Sequence, residues 1–219
     1  MMRIVVVGIH TEVGKTLVSA ILTKMLHAEY WKVLQAGSLD QTDSATVSHL
    51  SGAYCHPEAY QFSSPLSPHQ AARIDQIPID VGKFCLPETS SPLIIETAGG
   101  MLSPCGETLL QGDVFASWSC SWLLVSRAYL GSINHTLLTL EALRSRKINV
   151  LGMILNNYSE EEELWLQKMT GLPLLGSLRQ EQEVTPELVL SYANNWKKLW
   201  SRTSHLKQLL SGIPSLSQA

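Results

Sequence analysis

The chain has 219 residues, the size of one large domain or two small ones, and long enough to bury most of its apolar surface in one core. Hydrophobic residues make up 45% and charged residues only 16%, below the usual quarter, a deficit consistent with surface covered in an oligomer. Lysine plus arginine number 16 against 19 acids, a net charge of −3 that argues against bulk attraction to nucleic acid, so any bound anion must be gripped locally.

The start of the chain does not read as a signal peptide, since one arginine precedes a short apolar run and a glycine-rich turn follows at once. No apolar stretch reaches the roughly eighteen residues a membrane span needs. Cys55, Cys85, Cys105 and Cys120 are too far apart for a CxxC pair, and no HxxxH occurs. The expectation is a reduced, cytoplasmic protein without zinc.

In chain order, Arg3 to Val7 is a β-branched run ending at Gly8, and Gly14 to about Glu29 carries a helical apolar face of Leu17, Val18, Ile21, Leu22, Met25 and Leu26. Val33 to Ala36 reads as a second strand, with Lys32 before it as a solvated charge. Asp43 to Leu50 reads as a short helix, and Ser51 to Pro68 as turns. Further on, Pro92 to Glu96 is a buried strand ending in the turn Ala98-Gly99-Gly100, and Trp122 to Ser126 is another strand. Asn134 to Leu143 is a helix opened by Gly131 and Ser132, and strands follow at 150–155 and 172–176. Beyond Glu187 the chain is helical, while 212–219 reads as frayed. Non-alternating apolar strands that mostly lead into helices predict an α/β fold, a single-domain, doubly wound, mainly parallel sheet over 1–219 with helices on both faces. Ligands in such folds gather at the carboxyl ends of the strands.

Gly8 to Thr16 reads GIHTEVGKT, which satisfies G-x-x-x-x-G-K-[ST] between a strand and a helix. There the backbone N–H groups and the helix dipole favour phosphates, Lys15 reaches the β and γ phosphates, and the Thr16 hydroxyl faces magnesium. Glu96 ends an otherwise apolar strand on the same sheet edge, where a magnesium ligand has to be.

With this loop stand WKVLQAG at 31–37, SPHQAA at 67–72, ETAGG at 96–100 and LGSINHT at 130–136. In this order and spacing, from residue 4 to about 176, the chain resembles dethiobiotin synthetases, a family with the fold of P-loop NTPases. The resemblance implies an ATP-dependent ligase of biotin biosynthesis that turns 7,8-diaminononanoate and CO2 into dethiobiotin, with ATP and Mg2+. It assigns nucleotide phosphates to Thr11, Glu12, Val13, Gly14, Lys15 and Thr16, adenine to Asn156, and Mg2+ to Thr16, Asp43 and Glu96. Lys32 is implied to hold the carbamate and the transferring phosphoryl group, with Lys15 as the second catalytic cation, and Ser38 to contact the diamine. Gly131, Ser132, Ile133 and Asn134 match a loop that, in the family's homodimer, binds the substrate carboxylate of the neighbouring subunit.

Three positions depart from the family pattern. His10 stands for an aspartate, Val33 for a proline, and Thr97 for a glycine, which would strain a backbone of positive φ. Rival readings are a ParA- or MinD-like regulatory ATPase with a membrane-seeking C-terminal helix, and a nucleotide-binding remnant without synthase activity. The first lacks its group's early loop lysine, since Ile9, His10 and Thr11 occupy those places. An ammonia-dependent amide-forming enzyme needs a glutaminase for which the chain leaves no room.

Overall fold

The computed structural model describes residues 1–210. A seven-stranded sheet runs in the order β4-β2-β6-β1-β7-β8-β9, built from β1 (Arg3–Gly8), β2 (Glu29–Lys32), β4 (Cys55–His56), β6 (Leu93–Gly100), β7 (Ser121–Arg127), β8 (Val150–Asn156) and β9 (Leu174–Leu178). Every neighbouring pair in it is parallel. Ile4, Val5, Val6 and Val7 are all 0% exposed. Successive strand residues point to opposite faces, so this run requires cover on both, as expected for a doubly wound sheet.

The cover comes from α1 (Lys15–Leu26), α2 (Asp43–Ser51), α5 (Ser132–Ser145), α6 (Glu160–Thr170) and α7 (Pro186–Ser201), with α1 packed on both α2 and α7. The tryptophans of α7 point inward: Trp196 and Trp200 are buried, and Trp200 Nε1 donates to Leu175 O at 2.8 Å. A Cβ at Gly176 would overlap the Trp196 ring, so glycine is what lets the indole lie on β9. This face is docked on its own sheet, which removes the ground for a membrane-seeking helix. Among the described residues no helix is long and apolar enough to cross a membrane.

Several boundaries differ from the sequence expectation. The first helix ends at Leu26 because His27 turns left-handed at φ 47°, so Glu29 begins a strand rather than ending a helix. The second strand of the main sheet is therefore β2, and Lys32 is its last residue. The expected strand at 33–36 survives as β3 (Leu34–Ala36), which pairs with β5 (Tyr60–Phe62) in a separate two-stranded sheet. The turn-rich middle also holds β4, and α3 (Pro68–Ile74) follows it. Beyond, α4 (Gln111–Phe115) precedes β7, and α8 (Ser204–Leu210) ends the described chain. Helix α6 was not anticipated, although Ser159 and Glu162 form a reciprocal capping box at its start. The segment 212–219, expected to fray, lies outside the described residues.

Candidate active site

The loop between β1 and α1 is bent tightly by its glycines. A Cβ at Gly8 would collide with Val13 and with His10 O, while Gly14 sits at φ 98°. Glu12 also has a positive φ, 56°, a conformation that costs a non-glycine residue about a kcal/mol and that something must hold. Inside the curl Lys15 is 7% exposed, and its Nζ donates to His10 O at 3.1 Å. Burial, with the nearby Lys32 charge, pushes the Lys15 ammonium down to about 8.

At the carboxyl ends of β1, β2 and β6 opens a cleft of about 740 Å³, lined by Thr11, Glu12, Gly14, Lys15 and Thr16 from the loop and α1, and by Lys32, Ser38, Asp43 and Glu96 from elsewhere. Lys32 and Glu96 arrive there because they are register partners on adjacent strands. Lys32 is not the solvated charge its position suggested: it is 4% exposed, with Nζ 2.6 Å from Asp43 Oδ2, 2.9 Å from Glu96 Oε1 and 3.2 Å from Thr97 O. Burial alone would lower the Lys32 pKa, but the two carboxylates outweigh it and hold the pKa above its ordinary value. For Asp43, burial acts upward, and the Lys32 charge together with hydrogen bonds from Lys32 and Thr16 brings the carboxyl below its ordinary value.

The Thr16 hydroxyl lies 2.8 Å from Asp43 Oδ1 and 3.2 Å from Glu96 Oε1. One hydroxyl and two carboxylates form a hard oxygen set, and magnesium characteristically takes one or two carboxylates and completes its shell with water and phosphate oxygens. The three residues therefore fit that ion, and among the described residues no Cys or His lines the cleft to favour zinc instead.

Four contributors were not read from the sequence. Ser19 Oγ and Tyr30 OH donate to Glu96 Oε2 at 2.8 and 2.9 Å, fixing the carboxylate from its far side. Gln35 accepts from Asp43 N and donates to Gly37 O, tying the Ser38 turn to the start of α2. Buried Gln111 bonds both the N–H and the C=O of Ala98 and so props the end of β6, which runs on through Gly100 where a turn at Ala98-Gly99-Gly100 was expected. Ser19 carried a signal, a hydroxyl on the buried stripe of α1; Tyr30 meets Glu96 across 66 residues of sequence, and Gln35 and Gln111 bond backbone groups that no motif marks.

The remaining expectations divide. Ser38, with φ 54°, lines the cleft, and Pro65 to Pro68 close its side. Val13 is buried behind the loop, and Asn156 reaches the loop rather than the cleft, donating from Nδ2 to Val13 O at 3.0 Å. Gly131, Ser132, Ile133 and Asn134 do not line the cleft; Gly131 caps α5 at φ 95°, Ser132 is buried, and neighbouring Leu130 is fully exposed. Thr97 is unstrained. It lies in extended β6, outside the residues of positive φ, and its hydroxyl donates to Gly99 O at 3.1 Å.

A glycine-bent loop wrapped on a helix start, with a buried lysine and an oxygen-rich edge at the carboxyl ends of a parallel sheet, defines a P-loop nucleoside-triphosphate-binding protein. The profile of the AAA domain family matches residues 2–188. The MinD cell-division ATPase of Pyrococcus furiosus shares the fold with a TM-score of 0.52 over 91% of this chain and 100% of that one, at 14% identity. A putative plasmid partition protein of Borrelia burgdorferi gives 0.57 over 92% and 98%, at 8% identity. Identities this low carry the fold and no more.

Sequence relatives are more specific. The ATP-dependent dethiobiotin synthetase BioD of Chlamydia pneumoniae is 58% identical over 99% of both chains, and that of Agrobacterium fabrum is 44% identical over 85% of this chain and 90% of its own. The chain belongs to the ATP-dependent dethiobiotin synthetase family. It is an enzyme, a ligase that uses ATP.

Proposed function

We propose that this enzyme carboxylates 7,8-diaminononanoate with CO2 and closes the product to dethiobiotin at the expense of ATP. One amine nitrogen attacks CO2 and loses a proton, giving a carbamate. A carbamate oxygen attacks the γ phosphorus and ADP leaves. The second amine then attacks the carbonyl carbon of this carbamic-phosphoric anhydride, phosphate departs, and a proton is released as the cyclic urea forms. Ring closure joins groups on one molecule, so high effective molarity supplies much of the rate and no serine or cysteine nucleophile is needed.

The observation that carries this reading is the meeting of Lys15, Thr16, Lys32, Asp43 and Glu96 on one cleft. Loop residues Thr11 to Thr16 hold the phosphates through backbone N–H groups, and Lys15 neutralises charge on the transferring group. Lys32 holds the carbamate and the phosphoryl oxygens; pinned between two carboxylates, its ammonium is charged and fixed before the substrate arrives. Magnesium, held by Thr16, Asp43 and Glu96 directly or through water, supplies further neutralisation of phosphate charge when bound. Ser38 orients the diamine, and the amide oxygen of Asn156 accepts from the adenine amine.

Gly131 to Asn134 bind the substrate carboxylate in the cleft of a second copy, making the enzyme a homodimer. Their position at a helix start yet away from their own cleft supports this. Free, unpaired cysteines are in keeping with a cytoplasmic location.

The test is incubation of the purified protein with Mg-ATP, the diamine and labelled bicarbonate. Acid-stable label in a cyclic urea, dependent on both ATP and diamine, is the expected result. ATP loss without incorporation, or no reaction, overturns the reading and leaves the nucleotide-binding remnant.

A further inference from the structure

The phosphate loop is held from behind by two side chains that come from register partners on neighbouring strands. Arg127 ends β7 and Asn156 ends β8, paired in the sheet. Arg127 Nη1 donates to Glu12 O at 3.1 Å, and Asn156 Nδ2 donates to Val13 O at 3.0 Å. The spacing between the strand ends thus matches the spacing between two successive loop carbonyls.

A trans peptide points its C=O and the following N–H in opposite directions. Holding the carbonyls of Glu12 and Val13 toward β7 and β8 therefore turns the N–H groups of Val13 and Gly14 away from those strands. Among the described residues neither N–H donates to a protein acceptor. The held segment includes Glu12, whose φ of 56° needs an external hold, and Gly14, where a Cβ would fall within 2.8 Å of Asn156 Nδ2. Arg127 is exposed and makes this bond across 115 residues of sequence, so it contributes little to the core.

We propose that Arg127 is a positioning residue which, with Asn156, forms a clamp that presets the phosphate loop for nucleotide. The inference rests on the nucleotide reading given above. It assigns Arg127 a role in the reaction and gives Asn156 a second role beside base recognition. Preorganisation of this kind raises affinity by removing the cost of ordering the loop at binding.

The test compares wild type with Arg127→Met, which keeps the length of the stem without the donor, and Arg127→Lys, which restores one. Two quantities are measured: the ¹⁵N order parameters of the Glu12, Val13 and Gly14 amides in nucleotide-free protein, and steady-state kinetics in ATP. The expectation for Arg127→Met is lower order parameters in the loop and a KM for ATP raised about three- to tenfold, the loss falling on KM rather than kcat. Arg127→Lys should recover most of both. Unchanged loop order in the nucleotide-free Met variant, or a loss confined to kcat, overturns the clamp. Loosening of the loop in a protein whose wild type binds no ATP leaves the clamp standing and refutes the nucleotide reading instead.

Discussion

Lys32 and Glu96 face each other across adjacent parallel strands, in register, with Nζ and Oε1 2.9 Å apart and both side chains buried. Neither charge is affordable alone at that depth, and Asp43 adds a second carboxylate at 2.6 Å. The arrangement gives the cleft a fixed cation on its floor, opposite the more labile charge of Lys15.

Lys32→Gln should abolish dethiobiotin formation, because the neutral amide cannot offset the charge that develops on the transferring phosphoryl group. Nucleotide affinity should change by less than about threefold, since the loop donors remain. Turnover and ATP titration by calorimetry check the two halves; turnover at the wild-type rate contradicts the role given to Lys32.

Thr97 stands in extended backbone, and its hydroxyl bonds Gly99 O within β6. Restoring glycine should therefore bring no gain in activity. Thr97→Gly should instead destabilise the protein by roughly 1–2 kcal/mol, from added backbone freedom and the lost, partly buried hydroxyl hydrogen bond, read as a lower midpoint in urea.

Much of this was legible in the sequence, and what was not has identifiable causes. The unit from Arg3 to Leu26 depends on local signals, apolar periodicity and two glycines, and it appears where expected. Asp43 and Glu96 were singled out by motif and resemblance, and both line the cleft. The burial of Lys32 did not, because its partner lies 64 residues away and only strand pairing brings it there. The boundary at Glu29 moved because a histidine, not a glycine, takes the left-handed position that ends α1. Helix α6 had a capping signature, but four consecutive glutamates and few buried positions hid its apolar face.

His10 is exposed on the loop, with Nδ1 3.0 Å from Thr11 O and its ring edge-on to Tyr129. His10 lines a neighbouring hollow with Thr11 and Ser103 rather than the cleft itself, and exchange for aspartate puts a negative group on the loop proposed to hold Mg-ATP. His10→Asp should lower the KM for Mg-ATP and the magnesium concentration giving half-maximal rate. A value unchanged or raised would sink the view that His10 weakens metal recruitment.

Lys15 carries the remaining prediction, and its sign follows from burial. In the free protein its pKa falls from 10.5 to about 8, chiefly through desolvation and next through the Lys32 charge. Below pH 8 the ammonium is charged in both native and unfolded chains, so its full burial penalty is present. Between about 8 and 10.5 the native protein gives up this proton while the unfolded chain keeps it, and stability gains as pH rises. Lys15→Met should therefore stabilise protein freed of metal and nucleotide at pH 7 by up to ~3 kcal/mol, read as a higher melting temperature, and the gap should narrow toward pH 10. The same variant should lose turnover. In the wild type, phosphate draws the proton back, so ATP binding at pH 8.5 should take up protons, seen as a binding enthalpy that varies with the ionisation enthalpy of the buffer. No proton uptake, together with no stabilisation in Lys15→Met, would show that the buried ammonium is neither strained nor aimed at the nucleotide.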